Sequence, residues 1–429
     1  MPTEISQTDY LIIGGGIAGT TAAETVRSLD PAGSITIVSD ENEPLYSRVA
    51  IKVYVQGKRP EEKMYLRSRR WYQEQRIELL AGRLARALDT DARVVELDGR
   101  QAIAYRRLLL TIGGYPNFWG VRGAKLDGVY PWQTFDDSRK IKHRLSLPHV
   151  KAGVVVGGGL IAVDMVHAFR GAGLQTVAVV REPYFFGHLL DRESGLLVQR
   201  VFAENGVETI TGDVASELLG EGEVEELVTR GGRHLPCNIV GVGIGISPDF
   251  GFLRGSGLEI RSGIVTDARL ETSRKGVFAA GDCAEFYDLI YGYHHRMGNW
   301  ANSAKQGRVA GANLVGKGLV YQDVTSYTTN FFSYNITFVG EVDTARASQV
   351  VSRGSAAAGR YGRLLIKDGA IIGATLINLA GESSALTNLI TAKVDVSRQL
   401  GDLAYPEFKL SSLLPTSLRA PAPVAAESV

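Results

Sequence analysis

The chain has 429 residues, of which 45% are hydrophobic and 22% are charged. This composition supplies a large apolar core and excludes an intrinsically disordered chain. Lysine and arginine number 47 against 46 aspartates and glutamates, so no net field favours a nucleic acid or an anionic membrane as a partner. The two cysteines, Cys237 and Cys283, exclude a disulfide framework and fit a reducing compartment. We see no apolar stretch of membrane-spanning length and expect a cytoplasmic protein.

The first predicted element is a buried strand, YLII at residues 10–13, which leads directly into the glycine-rich turn GGGIAG at 14–19. A helical stretch follows the turn, and a second strand, ITIV, lies at 35–38. The acidic residue Glu41 comes just after that strand. This order of strand, glycine turn, helix, strand and carboxylate predicts a dinucleotide-binding unit.

Each glycine of this turn has its own physical task. Gly14 permits the tight turn, Gly16 lets the backbone approach a pyrophosphate, and Gly19 lets the helix pack closely on the strand. The helix N-terminus then offers free N–H groups and a partial positive charge to the phosphates. Glu41 is predicted to accept hydrogen bonds from a ribose.

The same pattern occurs a second time. The strand VVV at 154–156 enters GGGLIA at 157–162, and after a helical stretch the strand VAVV follows at 177–180. A single glycine motif is weak evidence, but two copies in the same structural context predict two dinucleotide cofactors.

Beyond residue 322 the sequence pattern changes and predicts short strands followed by a helix. The Asp368-Gly369 dipeptide predicts a two-residue hairpin turn between two of these strands. The predicted elements are strands at Asn330–Tyr334, Ile336–Val339, Arg363–Lys367 and Ala370–Ile377, and a helix near Ser383–Lys393.

Several ordered segments resemble those of one family, the FAD-dependent pyridine nucleotide-disulfide oxidoreductases related to glutathione reductase. PLYSR at 44–48 is similar to the P-x-Y-x-R segment that lies along the flavin, and LLLTIGG at 108–114 to the A-T-G crossing strand. VFAAGD at 277–282 resembles the second flavin fingerprint, and the segment from Trp300 to Gly307 resembles W-x-N-A-x-x-Q-G. The resemblance is closest to the ferredoxin, rubredoxin and nitrite-reductase-type NAD(P)H reductases.

The resemblance implies an α/β fold with two Rossmann-like domains, one for FAD and one for NAD(P)H, plus a C-terminal α+β domain. We predict that the FAD domain comprises residues 1–115 and 245–322, with the NAD(P)H domain at 116–244 between them. The C-terminal domain is predicted at 323–415, followed by a disordered Pro/Ala-rich tail at 416–429.

The resemblance also implies which residues hold FAD, with Asp282 on the ribitol and Glu41 on the adenosine ribose. The predicted FAD-binding residues are Gly14, Gly16, Ala18, Gly19, Glu41, Arg48, Gly113, Gly281 and Asp282.

The second glycine motif departs from the NADH pattern, because Ala162 stands where NADH-binding members carry a third glycine. Counted from Gly159, the usual carboxylate position holds Val180, and Arg181 follows it, where the NADPH-specific glutathione reductases place a phosphate-binding arginine. The sequence therefore favours NADPH over NADH. A shift of one residue at the strand end would instead make Glu182 an NADH-type acceptor. The predicted nicotinamide cofactor site comprises Gly157, Gly159, Ala162 and Arg181.

Three further residues are candidates for the chemistry at the flavin. In the family a glutamate that reaches the flavin pairs with a lysine near N5; Asp164 takes the place of the glutamate, and Lys52 lies one residue from the aligned Val53. Whether that pair forms is open, because Lys52 fits a surface position equally well. Trp300, by resemblance, covers the ring and shortens the path for electrons.

The route of the electrons beyond the flavin is constrained by the segment SRVAIKVYV at 47–55, which lacks the cysteines of the disulfide reductases. The resemblance favours single-electron transfer to a carrier protein such as a ferredoxin or rubredoxin, for which the basic run YLRSRRW at 65–71 is a docking candidate. Direct two-electron reduction of a small organic acceptor such as a quinone, at His294 and His295, is the alternative. A non-enzymatic flavoprotein subunit is a third. The histidine and cysteine spacing indicates no metal site, and the oligomeric state is open.

Overall fold

The computed structural model describes residues 4–418. It divides into two compact units, Met1–Arg181 with Asp213–Gln322 and Glu182–Gly212 with Asp323–Val429. The predicted domain limits stay a prediction. Residues 419–429 of the predicted tail lie outside the described residues, and Thr416–Leu418 form a turn of 3₁₀ helix.

The N-terminal part of the first unit begins with the strand and glycine turn that the sequence predicted. Its elements are β1 (Glu4–Ile13), α1 (Ile17–Leu29), β2 (Ile35–Ser39), α2 (Ile51–Val55), α3 (Arg69–Glu74), β3 (Ile77–Ala81), β4 (Ala85–Asp89), β5 (Val94–Leu97) and β6 (Gln101–Leu110).

The middle of the chain contains the second glycine turn. Its elements are β7 (Tyr115–Pro116), β8 (Val129–Pro131), α4 (Phe135–Ser146), β9 (Ala152–Val156), α5 (Leu160–Gly171), β10 (Gln175–Val180), α6 (Arg192–Glu204), β11 (Val207–Thr211), β12 (Ala215–Leu219), β13 (Glu226–Thr229), β14 (His234–Pro236) and β15 (Ile239–Val242).

The remaining elements complete the first unit and then form the C-terminal sheet. They are β16 (Ile246–Ser247), β17 (Ile264–Thr266), β18 (Val277–Ala279), β19 (Ala284–Asp288), β20 (Tyr293–Arg296), α7 (Trp300–Leu314), β21 (Ser326–Phe331), β22 (Tyr334–Gly340), β23 (Gln349–Ser355), β24 (Arg360–Lys367), β25 (Ala370–Ile377) and α8 (Ser383–Thr391).

The main sheet of the first unit has the strand order β3-β2-β1-β6-β5-β4, and β18 also pairs with β6. Strands β1, β2, β3, β6 and β18 run parallel. Alternate residues of β1 pack into two different hydrophobic clusters. Tyr10 and Ile12 belong to one cluster, and Leu11 and Ile13 belong to the other. Both faces of this strand are therefore buried, as its continuous hydrophobic pattern predicted.

Helices α1 and α7 pack together on one face of that sheet through small residues. A Cβ on Gly307 would lie 2.3 Å from the carbonyl oxygen of Ala18, and one on Gly311 would lie 2.6 Å from that of Ala22. Only glycine allows this approach, so the start of α7 is brought beside the glycine turn at the start of α1.

A second sheet in the first unit contains the order β10-β9-β15-β8, with parallel pairing throughout. The second unit contains an antiparallel sheet in the order β21-β22-β25-β24-β23. Together these sheets confirm the predicted α/β class with a C-terminal α+β region.

The predicted strand Asn330–Tyr334 is interrupted in the structure. Asn330 and Phe331 end β21, Tyr334 begins β22, and the two residues between them form a hairpin turn. Phe332 adopts a φ of 51°, and an aromatic run carries no local indication of such a left-handed residue. The Asp368-Gly369 turn is confirmed, with φ values of 49° and 78° between β24 and β25.

Candidate flavin and nicotinamide site

The first glycine turn has the geometry that a pyrophosphate needs. Gly14 has a φ of 115°, and a Cβ there would lie 2.2 Å from the carbonyl oxygen of Thr111. A Cβ on Gly19 would lie 2.0 Å from the carbonyl oxygen of Gly14, whereas Gly16 has no atom within 4 Å of its Cβ position. Gly16 caps α1 without a side-chain hydrogen bond, so the first N–H groups of this helix face open space.

A cleft opens beside this turn. Besides the glycines it contains the predicted residues Glu41, Arg48 and Trp300. A second cavity borders Gly14 on its other side, and its wall mixes apolar and charged side chains. That wall includes Val38, Asp40, Arg83, Leu84, Ala85 and Ile112.

Glu41 lies in the cleft with both carboxylate oxygens engaged. Tyr46 donates its hydroxyl hydrogen to Oε2 at 2.7 Å, and Arg48 forms an ion pair with Oε1. Burial raises the pKa of the Tyr46 hydroxyl, which therefore remains a donor at neutral pH. Arg48 also donates to the backbone carbonyl of Gln133. The sequence suggested Glu41 and Arg48 separately, and the structure joins them.

Gly281 and Asp282 lie near the cleft residue Arg48, whose charge acts on Asp282, and both are held by α7. Gly281 has a φ of 80°, and its N–H donates to Oε1 of Gln306 at 2.8 Å. Ser303 donates its hydroxyl hydrogen to Oδ1 of Asp282 at 3.0 Å. Burial raises the pKa of Asp282, and the Ser303 hydrogen bond opposes that rise.

Two buried amide groups at this end of the cleft have no hydrogen-bond partner. They are Nδ2 of Asn299, which caps α7, and Nε2 of Gln306. Orphaned buried donors are costly and indicate a ligand or water at the site. With the open glycine turn and the carboxylates at both ends, they fit a bound FAD. Gly113 (φ 61°) also has free space at its Cβ position.

The second glycine turn has the geometry of the first, except that an alanine takes the place of the third glycine. Gly157 has a φ of 126°, and a Cβ there would lie 2.2 Å from the carbonyl oxygen of Gly243, while Gly159 again faces open space. Ala162 is fully buried at the third glycine position. Its methyl group fits because Gly243 occupies the place that Thr111 holds at the first glycine turn, and a Cβ on Gly243 would lie 2.8 Å from the Ala162 nitrogen.

The strand register bears on the choice of nicotinamide. Gly14 donates its N–H to the carbonyl of Val38, and Gly157 donates to that of Val179, so these two valines hold equivalent places. Glu41 is the third residue after Val38, and Glu182 is the third residue after Val179. By this register the carboxylate position falls on Glu182 rather than on Val180. The role predicted for the neighbouring Arg181 stays a prediction.

The structure brings Lys52 and Asp164 together. Nζ of Lys52 donates to Oδ1 of Asp164 at 2.9 Å, and the two side chains are 23% and 21% exposed. Burial raises the pKa of Asp164, and the charge of Lys52 opposes the rise. The pair that the sequence left open therefore forms, with α2 supplying the cation and α5 the acid. Its action on the flavin stays a prediction.

The two histidines of the alternative hypothesis belong to the β19–β20 hairpin. Nε2 of His295 lies 3.0 Å from Oδ2 of the buried Asp288. His294 contacts the backbone carbonyl of Thr266 at 3.2 Å and lines a separate surface cavity with Tyr287 and Glu271. Both imidazoles thus have partners within the hairpin and its neighbouring strand.

Neither cysteine has the environment of a reactive thiol. Cys283 is fully buried behind the cleft, and burial raises its pKa to about 12. Burial also raises the pKa of Cys237 to about 12. Both thiols stay protonated at neutral pH. Within residues 4–418 no group of three or more His, Cys, Asp or Glu side chains is arranged to hold a metal ion.

The sequence analysis missed three residues that shape the site. Tyr46 lies within PLYSR at 44–48 but was not itself predicted as a site residue, yet its hydroxyl donates a hydrogen bond to Glu41. Ser303 lies at the alanine of W-x-N-A-x-x-Q-G, and that departure from the pattern marked it. Gly243, within GVGIG at 241–245, makes room for Ala162, and a glycine-rich strand end was the available indication.

Two dinucleotide-binding turns, a flavin cleft and an adjacent Lys–Asp pair define an FAD-dependent NAD(P)H oxidoreductase. The model of the pyridine nucleotide-disulphide oxidoreductase family matches residues 8–307, and the chain belongs to this family.

Relatives of known name extend over nearly the whole chain. It is 29% identical over 395 residues to the ferredoxin–NAD(+) reductase component of the biphenyl dioxygenase system of Paraburkholderia xenovorans, covering 91% of this chain and 95% of the relative. Rhodocoxin reductase of Rhodococcus erythropolis is 27% identical over 389 residues, and the match covers 90% of this chain and 90% of the relative.

A solved structure agrees. The ferredoxin reductase for the CYP199A2 system from Rhodopseudomonas palustris superposes with a TM-score of 0.85 at 28% identity, over 94% of this chain and 99% of that one. Across the described residues, every helix is too short or too polar to cross a bilayer.

Proposed function

We propose that this protein is a cytoplasmic reductase that takes electrons from NADH through FAD and passes them singly to an iron–sulfur carrier protein of the ferredoxin type. FAD, when bound, accepts a hydride from a nicotinamide and releases the electrons one at a time. The observation that carries the proposal is the cleft, which combines the first dinucleotide turn with the carboxylate of Glu41 and the indole of Trp300, while both cysteines of the chain are buried. The relatives named as ferredoxin reductases support the same acceptor class.

Each residue of the cleft has a part in this function. The N-terminus of α1 and Gly16 would bind the pyrophosphate, while Glu41 and Asp282 would accept hydrogen bonds from the two sugar-like chains of FAD. The Lys52–Asp164 pair would orient the reacting rings at the nicotinamide side, and Trp300 would exclude water at the exit.

NADH is the donor that the register favours. A carboxylate at the third position after Val179 would accept hydrogen bonds from both ribose hydroxyls, and it would repel a 2′-phosphate. Glu182 supplies that carboxylate in this chain. The relative named as a ferredoxin–NAD(+) reductase component is consistent with this choice.

The basic run at 65–71 adjoins the cleft. The N–H of Leu66 donates to the carbonyl of Leu45, which lines the cleft together with Trp300. Arg67 pairs with Glu24 and lies over the ring of Trp71 at 5.1 Å. The run therefore places arginine side chains beside the cleft, where they would favour docking of an acidic carrier.

The alternative of direct reduction of an organic acceptor loses support from the hairpin geometry. His295 is bound to Asp288 and His294 faces a cavity outside the flavin cleft. A reductase of this second kind would need an acid or base that is available at the flavin edge.

An anaerobic test separates these functions. The protein is mixed with NADH and with NADPH, and loss of flavin absorbance is followed by stopped flow. We expect NADH to bleach the flavin faster than NADPH, and a ferredoxin to be reduced faster than a quinone. If neither NADH nor NADPH bleaches the flavin, an oxidoreductase function is contradicted.

A further inference from the structure

Helix α7 carries a hydroxyl where the resembling family segment carries a methyl group. The pattern W-x-N-A-x-x-Q-G aligns with WANSAKQG at residues 300–307, so Ser303 stands at the alanine position. Ser303 is 4% exposed, and its Oγ donates to Oδ1 of Asp282 at 3.0 Å. The hydroxyl that departs from the family pattern is thus hydrogen-bonded to the carboxylate that is predicted to bind the ribitol of FAD.

The backbone beside Asp282 is fixed from the same helix. Gln306 lies nearly one turn after Ser303 and accepts a hydrogen bond from the N–H of Gly281 at 2.8 Å. A Cβ on Gly281 would lie 3.3 Å from both the Ala18 Cβ and the Ser303 Oγ. The turn has little freedom to move, so the orientation of the Asp282 carboxylate depends on its side-chain partners.

The charged groups around Asp282 are two arginines from two different segments. Arg48 follows β2, Arg296 ends β20, and both lower the pKa of Asp282, though less than Ser303 does. Burial acts in the opposite direction and is the largest influence. The pKa of Asp282 is raised on balance, so the carboxylate becomes neutral more readily than an exposed aspartate.

We propose that Ser303 is a positioning residue for FAD, which fixes Oδ1 of Asp282 and leaves Oδ2 to accept hydrogen bonds from the ribitol hydroxyls. A carboxylate held in this way is already oriented before the cofactor arrives, so less ordering opposes binding. The hydroxyl also stabilises the ionised form of Asp282, which is the stronger acceptor. The inference rests on the FAD assignment in the proposed function and is independent of the electron acceptor.

The test compares Ser303→Ala with the holoenzyme and with a control, Ser138→Ala. Ser138 is a buried serine on α4 that accepts a hydrogen bond from Nε1 of Trp132, so the control also deletes one buried helical hydroxyl. Release of FAD is followed by the fluorescence of free flavin as each holoprotein is diluted, and the dilution series is repeated from pH 8 downward, at steps of about half a unit.

We expect S303A to raise the dissociation constant of FAD about tenfold, equivalent to about 1.4 kcal/mol. Loss of the hydroxyl also raises the pKa of Asp282 further, so protonation and FAD release should begin at a higher pH in S303A than in the unmodified protein. S138A should match the unmodified protein in both measurements.

Two outcomes would overturn the proposal. One is an S303A protein whose dissociation constant and pH midpoint both equal those of the unmodified protein. The other is an equal change in S138A, which would assign the effect to general loss of stability. A failure of ferredoxin reduction alone would contradict the proposed function and leave this inference standing, because FAD release involves no acceptor.

Discussion

Replacing Lys52 by methionine removes the cation of the Lys52–Asp164 pair while keeping the length of the side chain. The two groups are 2.9 Å apart and each is about four-fifths buried. In K52M the carboxylate of Asp164 loses the charge that opposes its burial, so its pKa rises further and it takes up a proton more readily. The change therefore removes the cation and also favours the neutral form of the acid.

The expected cost follows from this burial. Breaking a fully buried pair by removing one partner costs roughly 3–5 kcal/mol. Because each side chain here keeps about one fifth of its surface exposed, we expect about 2 kcal/mol, which for a chain of 429 residues is a fall of about 2 °C in Tm. If the pair also orients the reacting rings, the bleaching rate should fall by at least about tenfold, or ~1.4 kcal/mol of activation free energy.

The assay is anaerobic stopped-flow bleaching of the flavin at saturating NADH, with thermal unfolding measured alongside. Lys58→Met is the matched control, since Lys58 is exposed six residues further on and has no role in the pair. K58M should bleach at the unmodified rate. A K52M protein that loses stability but bleaches as fast as K58M would refute the role of the pair at the flavin and leave it a structural contact.

Three further predictions, made with four substitutions, test other parts of the structure. Glu182→Ala should raise the KM for NADH about tenfold and reduce the preference for NADH over NADPH, whereas Arg181→Ala should change the KM for NADH little. Steady-state kinetics with both nicotinamides measure these effects, and a larger effect of R181A than of E182A on the KM for NADH would contradict the assignment of Glu182. Gly243→Ala should cost about 1–3 kcal/mol, because its Cβ would meet the Ala162 nitrogen at 2.8 Å, and an unchanged Tm with an unchanged KM for NADH would contradict the close packing. Arg353→Met should cost about 3–5 kcal/mol of stability, because the 1%-exposed Arg353 pairs with Glu382 and donates to backbone carbonyls of residues 403–408. If limited proteolysis cleaves residues 403–408 at the same rate in the variant and in the unmodified protein, Arg353 does not hold that segment in place.

The glycine turns were predictable because their requirement is local. A residue with φ of 115° at Gly14 and another with 126° at Gly157 must be glycine, and the strands before them are fully buried and hydrophobic. Short-range chemistry of this kind is written in consecutive residues. The same holds for the Asp368-Gly369 hairpin.

The pairings between distant residues were less accessible. Lys52 and Asp164 are 112 positions apart, and only the packing of α2 near α5 decides that a lysine one residue out of alignment reaches the acid. The partner of Glu41 is equally hidden, because the Arg48 guanidinium turns toward it only when the segment after β2 folds over the cleft. Tertiary geometry, not residue type, determines such contacts.

Counting along the chain and measuring from the paired strand place the carboxylate of the second glycine turn at different residues. The number of residues from Gly159 gave Val180, since helix and loop lengths differ after the two glycine turns. The hydrogen bonds of Gly14 and Gly157 to Val38 and Val179 provide a reference that does not depend on loop length. Register measured from a paired strand is therefore the better guide to cofactor preference.

The most direct test of the account is NADH-dependent reduction of a [2Fe–2S] ferredoxin, measured anaerobically beside a quinone with the same enzyme preparation. We predict rapid ferredoxin reduction that weakens as salt is raised, because the basic rim at 65–71 attracts an acidic carrier, and much slower quinone reduction. Bleaching of the flavin by NADH followed by reduction of the quinone but not of the ferredoxin would contradict the account.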